Sequence, residues 1–233
     1  YGVTALMARV YLCQENLTDA LACAQEVIDS KRFEFMNDSI NNVYAYRNLS
    51  YIEKMARHEY VSSLYVYDLK EGRSDLFFKN LASCECVIAE GRKASIYSGM
   101  GQDLDIRSKN WFETPAGSAT EYVNTYMRGT QIPLLKLSEM YLIAAEASGD
   151  IRYLETLRAN RGYATDPLPA GANLQDEITK EYQKEFIAEG QLFYYYKRRN
   201  MAILPITSTS MNRATYVLPV PDNELEFGNF KQN

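Results

Sequence analysis

The stretch from Ile132 to Ala147 reads Ile-Pro-Leu-Leu-Lys-Leu-Ser-Glu-Met-Tyr-Leu-Ile-Ala-Ala-Glu-Ala. Pro133 suits the first position of a helix, and Gly149 suits the position just after its end. A short partner helix follows, so residues 133–161 are predicted to form a helix pair. The first helix is indicated by apolar side chains at helical spacing, at Leu134, Leu137, Tyr141 and Ala144.

Two more regions carry a helical signal. Residues 3–30 hold two apolar stripes separated only by Gln14-Glu15-Asn16, which predicts an antiparallel helical hairpin. Residues 173–199 carry a third long helical pattern. The fold class is therefore predicted to be mainly α. The first pair adds small and aromatic residues at a spacing similar to that of a tetratricopeptide repeat, at Ala8, Tyr11 and Ala20.

The region between the first two helix pairs has a different character. From about residue 36 to residue 130 the chain is loop-rich and holds short strand-like runs such as 63–67. A turn at 71–74 and the apolar run 76–78 would complete a hairpin. Residues 200–233 are predicted to be extended or irregular. No boundary separates these parts in the sequence, so we expect one domain over residues 1–233.

Composition and missing motifs exclude several classes of protein. The chain has 233 residues and a net charge of −5, which disfavours nucleic-acid binding. No apolar run is long enough for a membrane-spanning helix. His58 is the only histidine and is expected at the surface, and the pair Cys84 and Cys86 lacks zinc-ligand spacing. Phosphate-binding glycine motifs are absent as well. We therefore expect no metal site and no cofactor.

Several motifs together resemble the SusD/RagB family of outer-membrane nutrient-binding lipoproteins. The helix 132–147 is similar to the family's signature helix, and the first hairpin is similar to its repeat pair. Each motif is weak alone, but their order along nearly the whole chain matches the family. The other matching segments are Asp105-Ile-Arg107 ahead of Trp111-Phe112, Leu157-Arg-Ala-Asn-Arg-Gly162, Glu181 with Glu185-Phe186 and Glu189-Gly190, and Leu218-Pro-Val-Pro221 with Glu224 and the closing Gln232-Asn233.

The resemblance implies a SusD-like α-α superhelix and a non-catalytic function. Such proteins capture glycans or other nutrients at the bacterial cell surface for polysaccharide uptake. Their partner is a SusC-like TonB-dependent transporter, and they lie on the outer face of the outer membrane. The signal and the lipid-attachment cysteine have no counterpart in this sequence, so membrane association is expected only through an anchor outside it. Because family members are much longer, we expect a C-terminal portion or a compact member.

Candidate ligand contacts come from the loop-rich middle of the chain. Aromatic rings cover the apolar faces of sugars, whereas polar groups bind their hydroxyl edges. Trp111 has a second interpretation, in which its ring anchors the loop on the helical core. Asp105 and Arg107 are expected to pair with each other rather than with a ligand. The predicted ligand-binding residues are Trp111, Phe112, Tyr97, Tyr122 and Tyr126.

Two other functions are weighed against binding. Glu181, Glu185 and Glu189 lie on one helix face, and paired carboxylates are what a glycoside hydrolase needs. One face cannot flank a glycosidic bond from opposite sides, so a structural role is favoured. The basic residues expected to neutralise the three are Lys180, Lys184, Arg198 and Arg199. A helical-repeat adaptor that binds other proteins is the remaining alternative.

Overall fold

The computed structural model describes most of the chain, and it forms two compact units, residues 1–189 and residues 190–233. The single domain expected over 1–233 stays a prediction. No described helix has the length and apolar character needed to cross a bilayer. The described residues are 1–36, 57–67, 87–88, 91–97, 104–114, 121–123, 131–205, 207–217, 220–221, 226 and 228.

The predicted N-terminal hairpin is confirmed. Helix α1 spans Gly2–Cys13 and helix α2 spans Leu17–Asp29, and the two pack together. The side chain of Asn16 caps α2 by accepting a hydrogen bond from the backbone N–H of Asp19. Small buried residues at the contact let the two backbones approach closely, and they are Ala5, Ala8, Ala20 and Ala24.

The outer side of α1 is apolar as well. Val3, Leu6, Met7 and Val10 are exposed on the side opposite the α2 contact. A helix that is apolar all round is normally covered on every side. This stripe is therefore an apolar surface that the described part of the chain leaves open.

The second helix pair is present but begins later than predicted. Helix α5 spans Leu137–Ser148 and helix α6 spans Ile151–Arg158. Gly149, with φ of 69°, ends α5, and the Asp150 side chain caps α6. Pro133 is not the first helical residue, because it lies in strand β5, Gln131–Lys136. β5 pairs with only one strand among the described residues, and such an edge tolerates proline.

The strand predicted near residues 63–67 is confirmed in part. Strand β1, Tyr60–Tyr65, pairs antiparallel with β5 and forms a two-stranded ribbon. The turn 71–74 and the run 76–78 lie outside the described residues. The region also holds two short helices that were not predicted. The remaining elements are β2 (Val87–Ile88), α3 (Arg92–Ile96), α4 (Ile106–Asn110), β3 (Phe112–Glu113) and β4 (Glu121–Val123), with strand order β2-β4-β3.

The single long helix predicted over 173–199 is two helices. Helix α7 spans Leu174–Glu185 and helix α8 spans Gln191–Arg198. Between them the backbone turns through positive φ at Ala188 (59°) and Gly190 (73°), which no continuous helix allows. Before α7, a π-helical turn covers Ala159–Tyr163.

The second unit contains more regular structure than the predicted extended tail. Helix α8 is followed by a small antiparallel ribbon of β6, Ile203–Leu204, and β7, Thr209–Ser210. Helix α9, Arg213–Tyr216, begins with a capping box between Asn212 and Thr215. The hydroxyl of Tyr216 donates a hydrogen bond of 2.8 Å to the carbonyl of Met201. This bond connects α9 to the segment between α8 and β6.

Candidate functional site

A network of charged side chains lies inside the first unit. Its members come from α4, β5, α6, the π-helical turn, α7 and the segments directly before β1 and α4 and after α7. Among the described residues the acids and bases of this network balance. Every member is buried or nearly so, so the pairs are shielded from water and salt. The network consists of Glu59, Asp105, Glu181, Glu185 and Glu189 with Arg107, Lys136, Arg158, Arg161 and Lys184.

Arg161 is at the centre of the network. Its guanidinium binds Glu59 through two hydrogen bonds of 2.6 and 2.7 Å. It binds Glu185 through two more, of 2.9 and 3.1 Å. A fifth, of 3.3 Å, reaches the carbonyl of Met36. All five N–H groups of the side chain are therefore used, which offsets the cost of burying its charge.

Arg107 makes the second hub and confirms the predicted pair with Asp105. Its guanidinium donates two hydrogen bonds to that carboxylate, of 2.7 and 3.0 Å. It also reaches Glu181 at 2.8 Å and Glu185 at 3.0 Å. Asp105 in turn accepts from the backbone N–H of Arg107 and caps α4. The short α4 is thereby fixed against the acidic face of α7.

Three further cations pair with the glutamates of α7 and with Glu189, which follows α7. Lys136, at the end of β5, donates to Glu189 at 2.7 Å and to the carbonyl of Glu185 at 2.8 Å. Lys184 and Arg158 both contact Glu181, at 3.0 and 3.3 Å. Lys184 was predicted as a neutralising partner. Lys180 was too, but it pairs with Glu177 instead.

Gly162 allows the network to close. Its φ is 106°, a conformation that L side chains rarely adopt. A Cβ at this position would lie 2.2 Å from the carbonyl oxygen of Leu104. The backbone of the π-helical turn therefore touches the backbone just before Asp105. This contact brings Arg161 and Arg107 to the same side of α7.

Three of the five predicted ligand residues are packed together inside the unit. Tyr97, Trp111 and Phe112 form one cluster and expose 0%, 5% and 7% of their surface. The Tyr97 hydroxyl donates to the carbonyl of Lys184 at 3.2 Å. The ring of Trp111 is enclosed where α4 meets β3, which agrees with its second interpretation, as an anchor of this segment. Tyr122 lies in β4, and Tyr126 lies outside the described residues. A ligand contact by any of the five stays a prediction.

Two exposed tyrosines were not singled out from the sequence. Tyr65 is the last residue of β1 and Tyr67 lies two residues further on, and they expose 66% and 86% of their surface. The sequence offered one indication of them: both lie in the strand-like run 63–67, where residues two apart are expected to share a face. The sequence alone did not show which face is buried.

The remaining reactive side chains form no site in the described part of the chain. His58 is exposed, as expected. Cys13 is exposed and Cys23 is half-buried, and both thiols are free. Cys84 and Cys86 lie outside the described residues. No group of three or more His, Cys, Asp or Glu side chains in the described segments is arranged to hold a metal ion.

No protein-family model matches this chain, and no curated protein sequence does. Solved structures do match. A SusD superfamily protein from Bacteroides vulgatus ATCC 8482 superposes with a TM-score of 0.63 at 19% identity, over 97% of this chain and 57% of that one. A protein described as a putative sugar binding protein, from the same organism, gives 0.61 at 20% identity, over 97% and 56%. A SusD superfamily protein from Bacteroides thetaiotaomicron VPI-5482 gives 0.61 at 19%, over 97% and 58%.

This chain has the SusD-like fold. The agreement with the family suggested by its motifs extends over almost all of its residues. The chain spans somewhat more than half the length of the solved structures that it matches.

The motifs behind the resemblance that lie in the first unit form much of the framework of this SusD-like fold. The segments around Asp105, Arg161 and the α7 glutamates meet in the buried network. The signature helix α5 is joined to α1 in a similar way. Arg9 binds Glu139 through two hydrogen bonds of 2.6 and 2.7 Å and the carbonyl of Leu134 through a third, of 2.7 Å. These motifs therefore report how the fold is held together, rather than which ligand it binds.

The network sets the protonation of the α7 carboxylates. Burial alone would raise the pKa of Glu181, but the charges of Arg107 and Lys184 outweigh it and lower that pKa to about 2. Burial is likewise overcome at Glu185, where Arg161 and Lys136 lower the pKa further. A general acid at neutral pH needs the opposite shift. Glu181 and Glu185 are thus held in the charged form, whereas a hydrolase acid must be protonated.

These pKa values imply a loss of stability in acid. A carboxyl whose pKa is lower in the folded state stabilises that state at pH values above its unfolded pKa, near 4.5. The contribution then falls as the pH drops towards the folded value. We expect the melting temperature to be level near pH 7 and to fall steeply from about pH 5 towards pH 2.

Circular dichroism melts across this pH range test the expectation. Repeating them in high salt serves as the control, because salt screens exposed pairs far more than buried ones. A melting temperature that stays constant down to pH 3 would contradict the assignment of these pairs as stabilising.

Proposed function

We propose that this protein is a non-catalytic glycan- or nutrient-binding protein of the bacterial cell surface. The observation that carries the proposal is its fold, shared with SusD superfamily structures and with one described as a putative sugar binding protein. The bound nutrient would pass to a SusC-like TonB-dependent transporter, in the course of polysaccharide uptake. The protein would lie on the outer face of the outer membrane, held by a lipid anchor. Nucleic acid is an unfavourable partner for a chain of net charge −5.

The proposal excludes hydrolysis of the glycan. Glycoside hydrolases use two carboxyl groups that flank the scissile bond, one of them protonated. Here Glu181 and Glu185 are fully buried and held by arginines, and Glu189 is bound to Lys136. A sugar could reach these carboxylates only if the network opened. Their roles are therefore those of structural anions.

A panel of polysaccharides tests binding and catalysis together. The chain is run through native gels cast with soluble starch, xyloglucan, pectic galactan or yeast mannan, beside gels without polysaccharide. We expect at least one polysaccharide to retard the chain relative to serum albumin. Reducing-end assays on the same polysaccharides should stay flat. Release of reducing sugar by the chain would overturn the non-catalytic assignment, and mobility unchanged in every gel would count against glycan binding.

A further inference from the structure

The ribbon of β1 and β5 is anchored at one end by buried ion pairs. At its base Tyr60 pairs with Lys136, a member of the buried network. Glu59, directly before β1, is fully buried and held by Arg161. β1 therefore begins, and β5 ends, beside ion pairs inside the unit. From Tyr60 to Tyr65 the ribbon extends about 17 Å.

The far end carries two exposed aromatic rings. Tyr65 lies directly opposite Gln131 in the strand register, and paired residues share a face of the ribbon. Ser63 falls on this face by alternation, whereas Leu64 falls on the other. Tyr67 follows two residues after the last residue of β1. The end of the ribbon therefore combines two exposed phenol rings with an amide and a hydroxyl. We call Ser63, Tyr65, Tyr67 and Gln131 the ribbon tip.

The chemistry of the ribbon tip suits a sugar. Tyrosine offers an apolar ring with a polar end, which matches the apolar face and hydroxyl rim of a pyranose. The amide of Gln131 and the hydroxyl of Ser63 can both donate and accept hydrogen bonds. Each strand pairs with only one neighbour in the described part of the chain, so its outer backbone groups add further donors and acceptors. A rigid base lowers the entropy cost of holding such a surface ready.

We propose that the ribbon tip is a carbohydrate-binding site in which Tyr65 and Tyr67 stack on sugar rings of a glycan chain. This inference rests on the proposed function and assigns a location to it. It places the ligand about one ribbon length from the buried aromatic cluster of Tyr97, Trp111 and Phe112. Those three rings then serve to hold α4 and β3 in place.

The test uses the polysaccharide that retards the wild-type chain most strongly. Affinity for it is measured by gel retardation at several polysaccharide concentrations. The double variant Tyr65→Ala/Tyr67→Ala is expected to bind about tenfold more weakly, or worse. The variant Tyr65→Phe/Tyr67→Phe keeps both rings and should retain most of the affinity.

Two exposed controls separate stacking from general surface effects. Leu64→Ala alters the opposite face of the same strand, and Tyr194→Ala removes a 65% exposed tyrosine in the second unit. Both are expected to bind like wild type, and all variants should melt within a few degrees of it because the replaced side chains are exposed.

The failures can be told apart. Full affinity in the double alanine variant overturns the site while the proposed function stands. Equal losses in the Leu64→Ala control also overturn it. No binding by the wild type defeats the proposed function and this site with it.

Discussion

Replacing Arg161 by methionine is expected to lower the free energy of unfolding by about 3 to 5 kcal/mol, as measured by urea titration. Methionine fills a similar volume but leaves Glu59 and Glu185 without their main counter-charge. Two buried carboxylates then either stay charged at high cost or take up protons. Arg161→Lys keeps the charge but loses the two-pronged contacts, so its loss should be intermediate.

Two comparisons isolate the effect of burial. Arg152→Met removes an exposed arginine that also pairs with a carboxylate, Asp150, and should leave the unfolding midpoint almost unchanged. Adding Glu59→Met to Arg161→Met should recover part of the loss, because a paired removal leaves less unbalanced charge. The assignment fails if Arg161→Met is as mild as Arg152→Met.

Gly162→Ala is expected to cost about 3 kcal/mol or more, through both strain and collision. The added Cβ must avoid the Leu104 carbonyl oxygen, 2.2 Å from its ideal position, which pushes α4 away from the network. Urea unfolding again gives the measurement.

Gly149→Ala and Gly171→Ala are matched controls, since both sites have positive φ and nothing within 4 Å of the new Cβ. They should lose only the strain, about 1 kcal/mol each. Equal losses at all three positions would mean that the contact with Leu104 has no energetic role.

The features that sequence predicted well are those set by nearby residues. The hairpin of α1 and α2 follows from periodicity within each helix, and the Asp105–Arg107 pair spans only two residues. Each of these can form before the rest of the chain has folded around it.

The features that sequence missed depend on partners far along the chain. Pro133 begins no helix because β1, some 70 residues earlier, pairs with the segment that contains it. Glu181, Glu185 and Glu189 were expected to be neutralised by Lys180, Lys184, Arg198 and Arg199. Lys184 does bind Glu181, but Arg107 and Arg161 also bind the α7 glutamates, from more distant segments. Burial of Trp111 likewise involves distant residues, because Ile187 packs against its aromatic cluster. Periodicity records which side of an element is apolar, but not what covers it.

The balanced charges inside the first unit also constrain how this sequence can diverge. Replacing one member of the network leaves a buried charge without a partner, so single changes are costly and joint changes far less so. The ten positions should therefore co-vary during evolution: they should be retained together or substituted in compensating pairs. Exposed pairs such as Lys180 with Glu177 are under no such constraint, so either residue can be substituted without the other. Charge co-variation among homologous sequences should thus be concentrated between segments as far apart as Glu59 and Arg161.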